Sequence, residues 1–234
     1  MSNLEYVELA RVDSERGEMV LRERRDPDVG VHSPVILELR VNGVFVMDTL
    51  ETSSEKGLAS AALAQVEHPR NVVVGGLGLG FTMHEVLADQ RVEKLVVVEV
   101  EEAVVGWMRD GTIPHGPTYL ADERLTVMTA DIRIAMTEAT PAAHDLILLD
   151  IDNGPEQVVY EENRAVYQRE FLRLARDALR PGGALVIWSA AQAPALRHEM
   201  QEVFGNVVPI PYDVTLQARD ERYWLYISRV TDDR

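Results

Sequence analysis

With 234 residues, 46% of them apolar and none of them cysteine, the chain has material for a real core but cannot use disulfides, thiolate nucleophiles or cysteine-ligated zinc. Its net charge of −16 argues against a protein that tracks a phosphate backbone, and suits cationic ligands or plain solubility. No run of 18 apolar residues offers a membrane span, and the polar start MSNLEYVELARVDSERGE reads as neither signal nor transit peptide, so the expectation is a cytoplasmic protein without membrane or nucleic-acid partners.

The first fifty residues carry four short β-prone runs, YVELARV, GEMVLRER, VILELRV and VFVMDTL. Asn42-Gly43 between the last two is a tight-hairpin dipeptide, and DPDVGVHSP reads as a loop between the second and third. Residues 1–52 are therefore expected to form a small antiparallel β appendage. From Ser53 the segment SSEKGLASAALAQV reads as a helix with Ser53 or Ser54 as N-cap, and it opens a second unit, 53–234.

Within that unit strands are predicted at 72–74, 95–98, 125–128, 146–149 and 184–188, with helical segments between them. The strongest helical pattern is 163–179, where Phe171, Leu174, Ala175, Ala178 and Leu179 fall at i, i+3, i+4, i+7 and i+8. Strands apolar throughout and separated by helices predict an α/β fold, a doubly wound and mostly parallel sheet covered on both faces. Two final β runs, VVPIPYDV and RYWLYISRV, are close enough in sequence to pair antiparallel.

The stretch NVVVGGLGLGFTMHEVL puts Gly75, Gly76, Gly78 and Gly80 between the first of these strands and a helix. A glycine turn there, at free helix N–H groups, suits a nucleotide-like ligand. The dinucleotide pattern would need glycine at position 81, which is Phe81, so the reading tilts from NAD toward S-adenosylmethionine. Glu99 ends the next strand 19 residues after Gly80, where an acidic side chain can accept both ribose hydroxyls. Asp131 ends the third strand, placed for an adenine amino group or as a helix N-cap, and both roles are compatible. Asp150 and Asp152 stand together after the fourth strand; Asp152 and Asn153 also suit a turn, which makes Asp150 the better candidate for chemistry. The six histidines show no metal spacing, so no metal site is expected.

Taken together, VVVGGLGLG, VVVEV, TADIR, DLILLDIDNGP and LRPGGALVIW resemble the spermidine synthase-like, polyamine aminopropyltransferase branch of the class I S-adenosylmethionine-dependent methyltransferase fold. The resemblance covers roughly residues 35 to 190, and it implies a seven-stranded Rossmann-type sheet. It implies that Gly75, Gly76, Gly78 and Gly80 line the methionine part of the cofactor, Glu99 the ribose and Asp131 the adenine, with Asp150 the acid-base carboxylate and Asp152 beside it. Aminopropyltransferases of that branch read Gly-Gly-Gly-Asp-Gly-Gly at the turn, and the aspartate holds the amino group of decarboxylated S-adenosylmethionine; Gly78 stands in that place here. Without that charge the expected cofactor is intact S-adenosylmethionine and the expected reaction methyl transfer to a small, cationic amine acceptor. The alternatives are aminopropyl transfer from the decarboxylated cofactor, cyclisation or elimination within the cofactor, and an idle S-adenosylmethionine-binding protein; a homodimer is compatible with each.

Overall fold

The computed structural model describes residues 4–26, 34–216 and 219–231. The four N-terminal runs form β1 (Glu5–Ser14), β2 (Gly17–Arg25), β3 (Ile36–Val41) and β4 (Val44–Asp48), an antiparallel sheet in that order. Asn42 and Gly43 both take positive φ, 51° and 75°, as the two-residue turn between β3 and β4 requires. Of the expected loop DPDVGVHSP, residues 27–33 lie outside the described residues.

The first helix, α1 (Ser53–Leu63), has Thr52 as its N-cap rather than Ser53 or Ser54. The Glu51 carboxylate accepts the Ser53 N–H at 2.7 Å, taking the place of a serine cap, and Ser54 Oγ donates to Glu55 instead.

Beyond α1, strands and helices alternate. They are β5 (Asn71–Gly75), α2 (Phe81–Ala88), β6 (Lys94–Glu99), α3 (Glu102–Asp110), the short α4 (Gly116–Tyr119), β7 (Leu125–Thr129), α5 (Ile132–Thr137) and β8 (His144–Leu149). Then come α6 (Arg169–Ala178), β9 (Leu179–Ser189), α7 (Pro194–Phe204), β10 (Val208–Leu216) and β11 (Arg219–Arg229). The helix expected over 163–179 is broken. A 3-10 helix, Glu161–Tyr167, is separated from α6 by Gln168 with an extended ψ of 160°, and Leu179 already belongs to β9. The Tyr167 hydroxyl donates to the Ile151 carbonyl at 2.6 Å and ties the 3-10 segment to the loop after β8, whereas the helical periodicity begins only at Phe171.

The second sheet has the order β10-β11-β9-β8-β5-β6-β7, and β11 alone runs against its neighbours. Its central strands are apolar along their length because both faces are covered. On one face Val72, Val74 and Leu146 share a core with Leu58, Val86 and Met108, and with Leu21 and Leu39 of the N-terminal sheet. On the other face Val73 and Ile147 pack with Phe171, Leu172 and Met200. Chain order reverses between β5 and β8, so their carboxyl ends open a crevice at the switch point, where doubly wound sheets take ligands.

Candidate active site

A cavity of about 460 Å3 lies at that switch point, bounded by the carboxyl ends of β5, β6 and β8, by β3 and β4 of the N-terminal sheet, and by β11. Of the expected glycines, Gly76 and Gly78 line it, whereas Gly75 and Gly80 do not. Gly75 packs against Leu149 and Gly80 against Met108. Gly76 has φ of 97°, and a Cβ there would stand 2.0 Å from the Asp150 carbonyl oxygen, so the turn must be bare to pass the end of β8. At Gly78, with φ of 49°, a Cβ would stand 2.6 Å from Met47 Sδ. That sulfur comes from β4 and accepts the Leu79 N–H at 3.2 Å. The start of α2 is thus partly occupied by a thioether from the N-terminal sheet, which the sequence reading did not foresee.

Glu99 is buried at the end of β6, and each of its carboxylate oxygens accepts one backbone N–H at 2.8 Å, from Leu77 in the glycine turn and from Glu101. Burial raises its carboxyl above the ordinary range, and the backbone N–H groups of Glu101, Leu77 and Val100 oppose that shift. One lone pair on each oxygen remains for other donors. Asp131 caps α5: its Oδ1 accepts the Arg133 N–H at 2.8 Å, and its carboxylate pairs with the Arg133 guanidinium. Enclosure alone would raise the Asp131 carboxyl, but the Arg133 hydrogen bonds outweigh it and hold it below the ordinary range. The capping role is therefore visible in the fold, and Asp131 still lines the cavity.

Asp150 follows β8 and accepts the Thr82 hydroxyl at 2.7 Å. It keeps some surface toward the cavity but is otherwise enclosed, which raises its carboxyl above the ordinary range against the pull of Thr82. Asp152, a non-glycine residue at φ 52°, also lines the cavity, but Asn163 Nδ2 donates to it at 2.9 Å. Its enclosure raises its carboxyl, and Asn163 with the backbone N–H groups of Val159 and Tyr160 opposes the shift. Asp152 thus anchors the loop that follows β8, whereas Asp150 faces the cavity and is tied to α2 through Thr82.

Three further residues that were not among the expected site residues line the cavity. Glu55, in the first turn of α1, is 9% exposed, and its Oε2 accepts the Ser54 hydroxyl at 2.8 Å. Arg16, at the tip of the β1–β2 hairpin, reaches across the cavity mouth, donates to Glu101 at 2.8 Å and lies 4.3 Å over the Tyr160 ring. Tyr223 of β11 meets Trp188 edge to face at 4.9 Å and closes the far wall. Tyr160 and Trp188 line the cavity as well, while Tyr167 is buried in packing and Ser189 Oγ donates to the Ala191 carbonyl.

A seven-stranded sheet of this order, with a glycine turn at its switch point and a buried glutamate ending the next strand, defines a Rossmann-like α/β protein of the methyltransferase type. Residues 51–208 match the spermine/spermidine synthase domain, and the chain belongs to that family. It is 31% identical over 169 residues to polyamine aminopropyltransferase 2 of Pseudomonas aeruginosa, an alignment spanning 66% of this chain and 46% of that protein. It is 29% identical over 147 residues to putrescine N-methyltransferase 3 of Nicotiana tabacum, spanning 62% and 36% respectively. The chain thus spans less than half the length of these two relatives. The crystal structure of spermidine synthase from Thermotoga maritima superimposes on 97% of this chain and 74% of its own, with a TM-score of 0.75 at 17% identity, and so shares the fold.

Proposed function

We propose that the chain transfers an alkyl group from an adenosyl sulfonium donor to a cationic amine, with aminopropyl transfer ahead of methyl transfer. The observation that carries this reading is the charge of the cavity: among the described residues every charged residue along its lining except Arg16 is acidic, and Arg16 is already paired with Glu101. The order of the two reactions is the reverse of the one expected from the sequence. Family membership and an aminopropyltransferase relative favour it. Methyl transfer from the intact cofactor would also draw on free N–H groups at the glycine turn for the donor carboxylate, yet the Leu77 N–H is given to Glu99 and the Leu79 N–H to Met47.

The residues present fit an adenosyl ligand. The free lone pairs of Glu99 suit a vicinal diol, the bare backbone of Gly76 permits close approach, and the cavity volume falls in the range of small-ligand sites. Such a donor supplies an electrophilic carbon beside the sulfonium and a neutral thioether leaving group. In this reading residues 53–234 hold the donor, and the appendage 1–52 walls the acceptor side through β3 and β4. Asp150 takes a proton from the ammonium group so that the nitrogen gains its lone pair, and Trp188 and Tyr223 exclude water there.

Methyl transfer is the second reading, favoured by glycine at position 78 and by the putrescine N-methyltransferase relative. Mass spectrometry of the nucleoside product separates the two. The chain is incubated with 1,4-diaminobutane, or a panel of amines, and either decarboxylated or intact S-adenosylmethionine. Methylthioadenosine from the decarboxylated donor is the expected product; S-adenosylhomocysteine from the intact donor would replace it with the second reading, and neither product from either donor would overturn both.

A further inference from the structure

We infer that Met47 decides which donor tail the pocket accepts: its thioether fills the place at the glycine turn that a tail carboxylate would need, and so admits a tail that ends in an ammonium group alone. The inference rests on the adenosyl-donor reading above, and it assigns the choice of donor to a residue of the N-terminal sheet rather than to the turn itself.

The course of β4 explains how Met47 reaches the turn. Leu39 of β3 pairs with Met47 and Arg40 pairs with Phe45, so Val46 is the extra residue of a β-bulge. A bulge re-aims the side chains beside it and is a device found next to binding sites. The chain is pinned just beyond it: Asp48 Oδ1 accepts the N–H groups of Leu50 and Glu51 at 2.9 and 3.0 Å, and Asp48 Oδ2 accepts from Arg24 at 2.9 Å. Between bulge and anchor, Met47 packs against the core that both sheets share and lines the cavity.

Two contacts define what the sulfur displaces. It accepts the Leu79 N–H at 3.2 Å, in the turn that leads into α2, and a Cβ on Gly78 would stand 2.6 Å from it. An anion at the start of a helix is held by free N–H groups. Here the Leu79 N–H is taken by a neutral, weakly accepting sulfur, and the Leu77 N–H by Glu99. A carboxylate would bind the Leu79 N–H more strongly than a thioether does, but only once the sulfur has left its packed position. It would also have to enter beside Asp48, Glu51 and Glu55, the charged lining residues of the same segment, all of them acidic. A tail ammonium needs no N–H donor and loses nothing to the sulfur. Met47 and an aspartate at position 78 would compete for one space, so the pair Met47 and Gly78 does by exclusion what the aspartate of the resembling enzymes does by attraction.

Calorimetry on the full chain with three nucleosides is the test. Methylthioadenosine carries no tail beyond a methyl group, S-adenosylhomocysteine carries a tail with amine and carboxylate, and the decarboxylated analogue of S-adenosylhomocysteine carries the amine alone. The wild type is expected to bind the decarboxylated analogue more tightly than S-adenosylhomocysteine. In Met47→Ala the ratio of the two affinities should move toward S-adenosylhomocysteine by roughly 10-fold or more, the scale for one hydrogen bond to a charged group, while methylthioadenosine binding changes by less than about threefold. Met47→Leu refills the space and should bring the ratio back near its wild-type value, a rescue that a general loss of stability would not show. Should Met47→Ala not fold, Met47→Val makes the same comparison with part of the space restored. A ratio that moves by less than about twofold while methylthioadenosine still binds, or a wild type that binds both tailed ligands equally, overturns the inference. Failure of methylthioadenosine to bind the wild type would instead overturn the adenosyl-donor reading, and this inference with it.

Discussion

Glu99→Gln changes almost nothing in shape and tests the donor site directly. The wild-type carboxylate accepts the Leu77 and Glu101 N–H groups at 2.8 Å each. A glutamine has one carbonyl oxygen, so its NH2 group must face one of these two donors, and a buried N–H is left unsatisfied. That should cost about 1–3 kcal/mol of folding stability. At a midpoint of about 2 kcal/mol, and about 2–4 °C per kcal/mol for a chain of this size, the melting temperature should fall by about 4–8 °C. Binding should suffer separately. One ribose hydroxyl loses a charged acceptor, worth about 1.5–3 kcal/mol, or roughly 10- to 150-fold in affinity. Calorimetry with methylthioadenosine and with its 2′-deoxy analogue separates the two effects. The wild type should prefer the ribose form, and the variant should lose most of that preference, because the coupling between side chain and hydroxyl is what the cycle measures. Affinity within about twofold of wild type, or an undiminished ribose preference, would refute the placement of Glu99 at the diol.

Asp150→Asn, which keeps the shape and can still accept the Thr82 hydroxyl, should bind methylthioadenosine almost normally and lower turnover by roughly 100-fold or more; full activity would remove Asp150 as the base. For Glu55, burial pushes the carboxyl from its ordinary 4.5 up to about 7, so the folded state binds its proton more tightly than the unfolded chain. The associated stability is complete below about pH 4.5 and is lost as pH rises through about 7, a change of order 3 kcal/mol. Glu55→Gln should flatten that loss in urea melts at about pH 4 and about pH 8, and an unchanged slope would show that Glu55 titrates normally. Arg24→Leu leaves Asp48 buried without its partner and should destabilise the fold by about 3–5 kcal/mol, read as a lower urea midpoint; a loss under about 1 kcal/mol would mean that the pair is not desolvated. Finally, the wild type should bind decarboxylated S-adenosylmethionine more tightly than the intact form, with a preference that shrinks in high salt; tighter binding of the intact form would restore methyl transfer to first place.

Much of the site was legible because its residues end consecutive strands of one sheet. Gly76, Asp131 and Asp150 follow β5, β7 and β8 and Glu99 ends β6, so strand order alone brings them to one edge, and apolar runs mark each strand. The glycine cluster was less legible because packing and ligand approach call for the same residue. Gly75 and Gly80 serve packing, and no spacing distinguishes them from Gly76 and Gly78. Glu55 was hard to rank for another reason: a glutamate in a helix's first turn already has a helix-dipole explanation, so its burial in the cavity wall leaves no mark in the sequence. Arg16 and Met47 enter the site from a hairpin tip and a neighbouring sheet, and side chains that arrive from another layer have no fixed sequence distance from the residues they meet. The break at Gln168 shows the same limit, since a tertiary bond from Tyr167 to Ile151 decides where the helix begins.

Position 78 joins these strands of argument. The aspartate that the family resemblance places there would touch the donor's amino group; in this chain the space beside Gly78 is filled by the thioether of Met47, which also takes the Leu79 N–H. The turn therefore offers the donor's tail neither a negative contact nor a free N–H at Leu79. What remains is the field of the cavity, whose charged lining is acidic apart from an arginine already neutralised by Glu101. A tail carboxylate entering that field meets like charge with little local compensation, whereas a tail ammonium is attracted from several directions at once. On the proposed reading, the preference that a contact aspartate enforces at short range would in this chain be distributed over the walls. A distributed preference is weaker at each residue and more sensitive to salt than a buried contact, so no single carboxylate substitution should abolish it. In the proposed reaction the same field would draw a cationic acceptor toward Asp150, so that one arrangement of charge, assembled by two sheets, would select both partners.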